Sequence, residues 1–294
     1  MIRAWASDHF EVPLPPGHPF PMPKYRALRE LLVAEGVVMV TPSEEAPVEW
    51  LDAAHDAAYV RRVLTGGLSA DEVRRFGMPW SPAVVARARA AVFGTVQAAL
   101  AALEDGIAGN LAGGTHHAFY DKGEGYCLFN DVAVALEVLG PRVQRPFVVD
   151  LDVHQGNGTA AIFEADESVF TFSMHARTNY PLKKERSSLD VELEDGTDDA
   201  AYLALLDRHL PGALERHRPD FIFYQAGVDA LQQDRLGRLG LTHEGLKARD
   251  ARVFALCEAR GLPVCVTLGG GYGRPLEATV EAHANVFRYA RPRS

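Results

Sequence analysis

The sequence predicts an α/β fold, an open parallel β-sheet with helices on both faces. Three observations point there. Short apolar β-type runs at 37–40, 147–153, 169–173, 221–225 and 264–268 lack the polar alternation of a half-solvated strand, as expected of strands covered on both sides. Between them lie longer segments with apolar residues at three-to-four spacing, at 25–35, 56–64, 82–103, 131–139, 200–217, 243–260 and 276–290, the periodicity of amphipathic helices. Such alternation builds a parallel sheet from strand–helix–strand units. Thirdly, the apolar runs end in Gly, His or Asp, and ligands of open α/β sheets bind outside the carboxyl ends of the strands.

Taken in order, the Pro-rich stretch 13–23 sits too early to link domains, no internal repeat recurs at a fixed period, and no segment is low in complexity. The chain therefore reads as one domain over 1–294. The run Pro146-Phe147-Val148-Val149 is apolar without alternation, and Gln155-Gly156-Asn157-Gly158-Thr159 after it reads as a turn entering a helix. The polar stretch 180–196, with Lys183, Lys184, Glu185 and Arg186, reads as a surface loop of solvated charges.

Composition narrows the function classes. At 294 residues, 47% hydrophobic and 23% charged, the chain is an ordinary globular sequence with ample core. A formal net charge of −9 without any basic stretch argues against nucleic acid or an anionic membrane as partner, and suits a cationic substrate such as lysine or a polyamine. Cys127, Cys257 and Cys265 are too few and too scattered for a disulfide framework or a cysteine zinc site, so any metal is held by His and carboxylate. The amino terminus lacks a charged start followed by an apolar stretch, and no run of about eighteen apolar residues occurs, so a cytoplasmic protein is expected.

The segment Asp150-Leu151-Asp152-Val153-His154 carries the most chemistry. Strand side chains alternate faces, so Asp152 and His154 at a strand end converge while Val153 points away into packing, and Asp150 shares their face one step further in. Buried carboxylates need a partner or a cation. Taken alone, the segment fits a solvated strand end as well as half a metal site. Asp229 follows the run 221–225 and the turn Ala226-Gly227-Val228, and adds a third possible ligand. A lone Asp there is also a common turn former or helix cap. Two carboxylates and one imidazole with an open position is the pattern of a catalytic rather than a structural zinc centre.

Two further segments fit the same chemistry. Gly113-Gly114-Thr115-His116-His117 exposes adjacent imidazoles that point differently, one suited to act as general base on a metal-activated water and the other to supply charge or a hydrogen bond. Leu268-Gly269-Gly270-Gly271-Tyr272-Gly273 holds a tyrosine whose hydroxyl suits an oxyanion; the loop lacks the Lys-Ser/Thr of a phosphate-binding loop and the spacing of a dinucleotide fingerprint. Together these residues describe metal-assisted amide hydrolysis.

The blocks GGTHHAF, GYCLFND, VVDLDVHQGNGT, SMH followed by NYP, AGVDAL and LGGGYG occur in this order. In these blocks the chain resembles the histone deacetylase superfamily, of the arginase/deacetylase fold, and the stretches HQGNG and DALQQDRLGRLGLT are most like class IV enzymes and their bacterial relatives. The resemblance implies zinc, or iron(II), held by Asp152, His154 and Asp229, with Tyr272 stabilising the oxyanion and His117 as general base and acid. It implies that His116 is the electrostatic neighbour paired with Asp150, and that Asn157 is the partner of His117, where some relatives carry Asp. The neutral amide leaves His117 less basic. Gly125, Tyr126, Tyr180, Leu236, Gly270 and Gly271 match positions lining the acyl-lysine tunnel. A potassium ion is implied at Asp150, Asp152, His154, Ser173 and Met174, and a second, weaker match involves Phe163, Asp166 and Val169.

The implied activity is removal of acetyl or longer acyl groups from lysine side chains in a peptide or protein, or from another small acyl-amine. The region 77–82 shows no match to the rim aspartate with which many relatives grip a peptide backbone, and no clear glutamate gatekeeper or dimerising insertion of polyamine deacetylases is seen. Acetylpolyamine hydrolysis is the alternative substrate class, and a non-catalytic binder of acyl-amines is the alternative of another kind. Arginase-like enzymes share this fold but hold two manganese ions with extra aspartates, typically as Asp-x-Asp. Here Val228 precedes Asp229 and Ala230 and Leu231 follow, so one metal is expected.

Overall fold

Strands β1 (Ile2–Ala6), β2 (Val38–Pro42), β3 (Ile107–Asn110), β4 (Pro146–Asp150), β5 (Phe170–Ala176), β6 (Leu189–Leu193), β7 (Phe221–Gln225) and β8 (Val264–Thr267) form one sheet in the order β2-β1-β3-β8-β7-β4-β5-β6. Every neighbouring pair is parallel. The structure is a computed structural model and describes residues 1–290. The expected α/β class, an open parallel sheet with helices on both faces, is the one found.

The helices are α1 (Pro23–Ala34), α2 (Val48–Ala54), α3 (Ala57–Thr65), α4 (Ala70–Phe76), α5 (Pro82–Asp105), α6 (Asp131–Leu139), α7 (Asn157–Phe163), α8 (Asp199–His217), α9 (His243–Glu258) and α10 (Leu276–Tyr289). The period of two along each strand splits the core into two layers. Phe147, Val149, Ile222 and Tyr224 pack on one face with α1, α8, α9 and α10. Val148, Phe221, Phe223 and Cys265 pack on the other with α2, α3, α5 and α6. Helix α5 is apolar and long enough to cross a membrane by length and composition alone. Most of it is buried, packed on α6 and β3 as a core helix.

Three strands escaped the pattern reading. β1 and β3 are short, and β3 contains Gly109 and Asn110, residues depleted in strands. β6 lies inside the stretch 180–196 expected to be a loop. There Val191 and Leu193 are buried while Glu192 between them is exposed, an alternation hidden by the polar composition around it. The expected strand 147–153 ends earlier, at Asp150.

Topology decides where chemistry can gather. The chain lays down β3, moves three places along the sheet to β4, continues outward to β5 and β6, and then fills the two-strand gap with β7 and β8. Consequently β3, β8, β7 and β4 are neighbours, and the loops after their carboxyl ends meet. These loops carry Gly113 to His117, Gly269 to Tyr272, Asp229 and Asp150 to Asn157 respectively.

Asp131, at the start of α6, fixes the first of these loops. Its fully buried carboxylate accepts hydrogen bonds from Gly114 N (2.8 Å), Thr115 N (2.8 Å), Thr115 Oγ1 (2.7 Å) and Thr95 Oγ1 (2.6 Å). Asp131→Ala strands these donors in the core, and unfolding in urea is expected to show a loss of roughly 4 kcal/mol. An unchanged midpoint and slope would mean that the loop is held by something else.

Candidate active site

Asp152 and His154 lie beyond the last residue of β4, so strand alternation is not what aligns them. A relay of backbone donors does so instead. Asp150 Oδ1 accepts from Asp152 N at 3.1 Å, and Asp152 Oδ1 accepts from His154 N at 3.0 Å. Asp229, on the turn after β7, accepts from Val153 N through Oδ1 at 2.9 Å, tying the two loops together. Asp152 Oδ2 takes a further bond from Gly270 N at 2.7 Å. Gly270 is needed for this approach, because a Cβ there would sit 1.8 Å from Asp229 Oδ2.

The outcome is a buried cluster in which ligand atoms of Asp152, His154 and Asp229 all lie within 4.8 Å of one another. His154 Nδ1 is 3.0 Å from both Asp152 Oδ1 and Asp229 Oδ2, and neither carboxylate has any exposed surface. Burial works against ionising Asp152, yet His116 and His154 hold it well below the ordinary carboxylate range. Burial and then the neighbouring Asp152 push Asp229 upward. Burial opposes a charge on His154, but its bonds to the two carboxylates prevail and raise it to about 10. The cluster thus demands positive charge between its oxygens. Two carboxylates and an imidazole nitrogen converging in this way fit one divalent cation, which Asp152, His154 and Asp229 would hold.

The adjacent histidines diverge as expected. Their ring centroids are 4.1 Å apart and the planes tilt by 49°. His116 Nδ1 donates to Asp150 Oδ2 at 2.7 Å. Burial lowers its basicity, but Asp150 and Asp152 outweigh that and raise it to about 9. His117 Nδ1 meets the amide oxygen of Asn157 at 2.6 Å, and Asn157 Nδ2 in turn donates to Glu124 Oε1 at 2.8 Å. Burial and then the charges of His116 and His154 press His117 well below the usual imidazole value. One ring is therefore cationic and the other neutral. With Nδ1–H committed to Asn157, the Nε2 lone pair of His117 is the free base. Environments that push two groups apart in this way mark acid–base machinery.

Tyr272 follows β8 on the glycine loop. Its N–H donates to Asp234 Oδ2 at 2.6 Å, and the Lys24 ammonium sits 5.5 Å from the ring centre while reaching the carbonyls of Gly271 (3.3 Å) and Gly269 (3.4 Å). Burial, and then Asp229 and Asp152, keep its phenol protonated far above the ordinary value. Tyr272 lines both an outer cavity of about 540 Å³ and an inner one of about 60 Å³. Gly125, Tyr126, Tyr180 and Leu236 line the outer cavity with His117 and His154. Gly125 has φ 54°, and a Cβ there would meet His117 Cδ2 at 2.6 Å. Gly270 lines the inner cavity. Gly271 does not line either; a side chain there would run into Thr279 and His283, because its Cα faces α10 rather than the tunnel.

The residues matched to a potassium site fall partly together. The β4–β5 register sets Asp150 opposite Ser173, whose Oγ lies 2.9 Å from His175 Nδ1, and Met174 is fully buried. Phe163, Asp166 and Val169 share one turn, in which Asp166 N bonds Phe163 O and Val169 N bonds Asp166 O. Sequence reasoning passed over Glu124, Asp131, Asp234 and Lys24. Each acts through a contact distant in sequence, and only Asp131, directly after a helix-capping Asn130, carried a local signal.

A family model described as the histone deacetylase domain matches residues 18–288. An uncharacterized protein of Picosynechococcus is 45% identical over 287 residues, 96% of each chain. Histone deacetylase 2 of Arabidopsis thaliana is 30% identical over 270 residues, covering 87% of this chain and 70% of the relative. A probable deacetylase of Methanothermobacter thermautotrophicus is 36% identical over 202 residues, covering 63% of this chain and 59% of that one. The crystal structure of the HDA15 HD domain matches with a TM-score of 0.81 at 24% identity, over 98% of this chain and 90% of that chain, a likeness of fold.

Burial and the charges of His116 and His154 keep His117 weakly basic, and the hydrogen bond to the Asn157 amide offsets them only in part. Asn157→Asp puts an anion against Nδ1, so the His117 pKa should rise in a histidine-selective NMR titration. A titration that does not move would dissociate Asn157 from the tuning of this ring.

Proposed function

The chain belongs to the histone deacetylase family, and from that membership we propose that it hydrolyses the amide of acylated lysine-type amines at the Asp152–His154–Asp229 cluster, with zinc or iron(II) as the metal. The single observation carrying this reading is the convergence of three buried ligands, one neutral and one charged imidazole, and a protonated phenol at the floor of one cavity.

When bound, a divalent cation supplies Lewis-acid polarisation and acidifies water. The side chains do the rest. The methylene stem of the substrate lies between Tyr126, Tyr180 and Leu236, which leaves its polar end to solvent. His117 Nε2 takes a proton from the attacking water and returns it to the leaving nitrogen, so that one ring acts as base and then acid. His116, held cationic by Asp150, offsets the negative charge that develops beside it. The Tyr272 hydroxyl donates to the oxygen of the former carbonyl. The inner cavity receives the acyl group; at about 60 Å³ it suits a short one. An apolar cavity of about 70 Å³ shares Phe20, Tyr25, Gly113, Thr115 and Tyr126 with it and offers room for a longer chain. Asp150 and Ser173, facing each other across β4 and β5, support a potassium ion behind the cluster.

Hydrolysis of acyl-lysine peptides of varied chain length by metal-reconstituted enzyme tests this reading. Tyr272→Phe and His117→Ala should each lower kcat by about 10²–10⁴-fold while metal content stays the same. Unchanged turnover in either variant refutes its role, and binding of acyl-lysine with no turnover by the native enzyme favours a non-catalytic binder.

A further inference from the structure

The outer cavity carries a charge pattern that the proposed chemistry does not use. Arg75, Arg235 and Arg238 line it together with the exposed Leu182, and none of its lining residues is Asp or Glu. Arg75 and Arg235 are exposed, and among the described residues neither guanidinium has an ion-pair or hydrogen-bond partner. Arg238 is only partly engaged, donating to Thr178 Oγ1 at 2.9 Å and lying 3.6 Å from Asp195. Apart from the exposed Asp195, the nearby carboxylates Asp234 and Glu124 are committed inward. Asp234 accepts from the backbone N–H groups of Leu236, Gly237 and Tyr272, and Glu124 accepts from Asn157.

A protein with formal net charge −9 therefore places two unpaired guanidiniums, Arg75 and Arg235, and a third paired with Asp195 at the entrance to its site. Single solvated arginines are common on any surface, but three around one opening without a carboxylate on its wall set the sign of the potential that an entering substrate meets. A stem passing Gly125, Tyr126, Tyr180 and Leu236 leaves its outer end among these guanidiniums. A second ammonium there, as in an acetylpolyamine or a lysine-rich tail, is repelled. A carboxylate is attracted and matches the donor fork of Arg.

Resting on the deacylase reading, we infer that the substrate carries a carboxylate at the outer end of the acylated stem, and that Arg75 and Arg235, with Arg238 beside them, select it. The chemical class is an acidic acyl-amine, found either as acyl-lysine flanked by Asp or Glu in a peptide or as a small N-acyl amino acid. The local charge thus reverses the expectation of a cationic substrate drawn from net charge.

Two matched pairs test this with the metal-loaded enzyme: N-acetyl-ε-aminocaproate against N-acetylcadaverine, and an acetyl-lysine peptide flanked by Asp against one flanked by Lys. A neutral, end-blocked acetyl-lysine amide is the reference. In at least one pair the anionic member should have a kcat/KM about tenfold or more above the cationic one. The pair that shows it identifies the small molecule or the peptide as the source. The ratio should fall toward one in the Arg75→Gln, Arg235→Gln double variant, and in about 1 M salt, where the screening length is about 3 Å. Equal or better turnover of the cationic member in both pairs, or a preference that survives the double variant, overturns the inference. If the reference is hydrolysed, the deacylase reading stands regardless; if no substrate is hydrolysed, that reading fails and this one with it.

Discussion

Two carboxylates with no exposed surface, Asp152 and Asp229, face a common imidazole nitrogen at 3.0 Å each, and the surrounding architecture exists to hold them there. Left to themselves they repel each other and lose hydration, a cost of several kcal/mol per ion in an apolar interior. Backbone N–H groups from Val153, His154 and Gly270 satisfy part of that demand and fix which oxygen points where. The remainder calls for a cation. The family to which the chain belongs is metal-dependent, and this donor set suits that chemistry.

The same constraint explains the sheet order. The four central strands place four loops against one another without any long excursion of chain, so ligands, imidazoles and phenol arrive from different parts of the sequence on a rigid base. Buried polar residues then tune each arrival. Asp131 sets the histidine loop, Asp150 and Asn157 orient the neighbouring rings through their Nδ1 atoms, and Asp234 holds the tyrosine loop by its backbone. His116 is charged because Asp150 and Asp152 outweigh its burial, and His117 is neutral because burial and the charges of His116 and His154 outweigh its bond to an uncharged amide.

The longer helices, the strands β2, β4, β5, β7 and β8, and the residues that meet at the site were legible in the sequence because periodicity and His/Asp chemistry are local signals, whereas the seven-residue helices α2 and α4 were too short to show a period. β1, β3 and β6 were not, since a short strand owes its form to neighbours on either side; β6 was further masked by the charges of its own outer face. The alignment of Asp152 with His154 was read from strand alternation, yet the strand stops at Asp150 and the alignment comes from hydrogen bonds between loops. Gly271, matched to the tunnel, packs toward α10 instead. The arginine-lined entrance was invisible for a related reason: Arg75 and Arg235 are far apart in the chain, and net charge reports the sum over a surface rather than its sign at one opening.

The most direct measurement is anomalous diffraction from crystals grown with zinc. One ion per chain should appear, bonded to an oxygen of Asp152, an oxygen of Asp229 and Nδ1 of His154 at about 2.0–2.2 Å. Two ions sharing the cleft, or a single ion held elsewhere while these three side chains remain bonded to each other, would contradict the account.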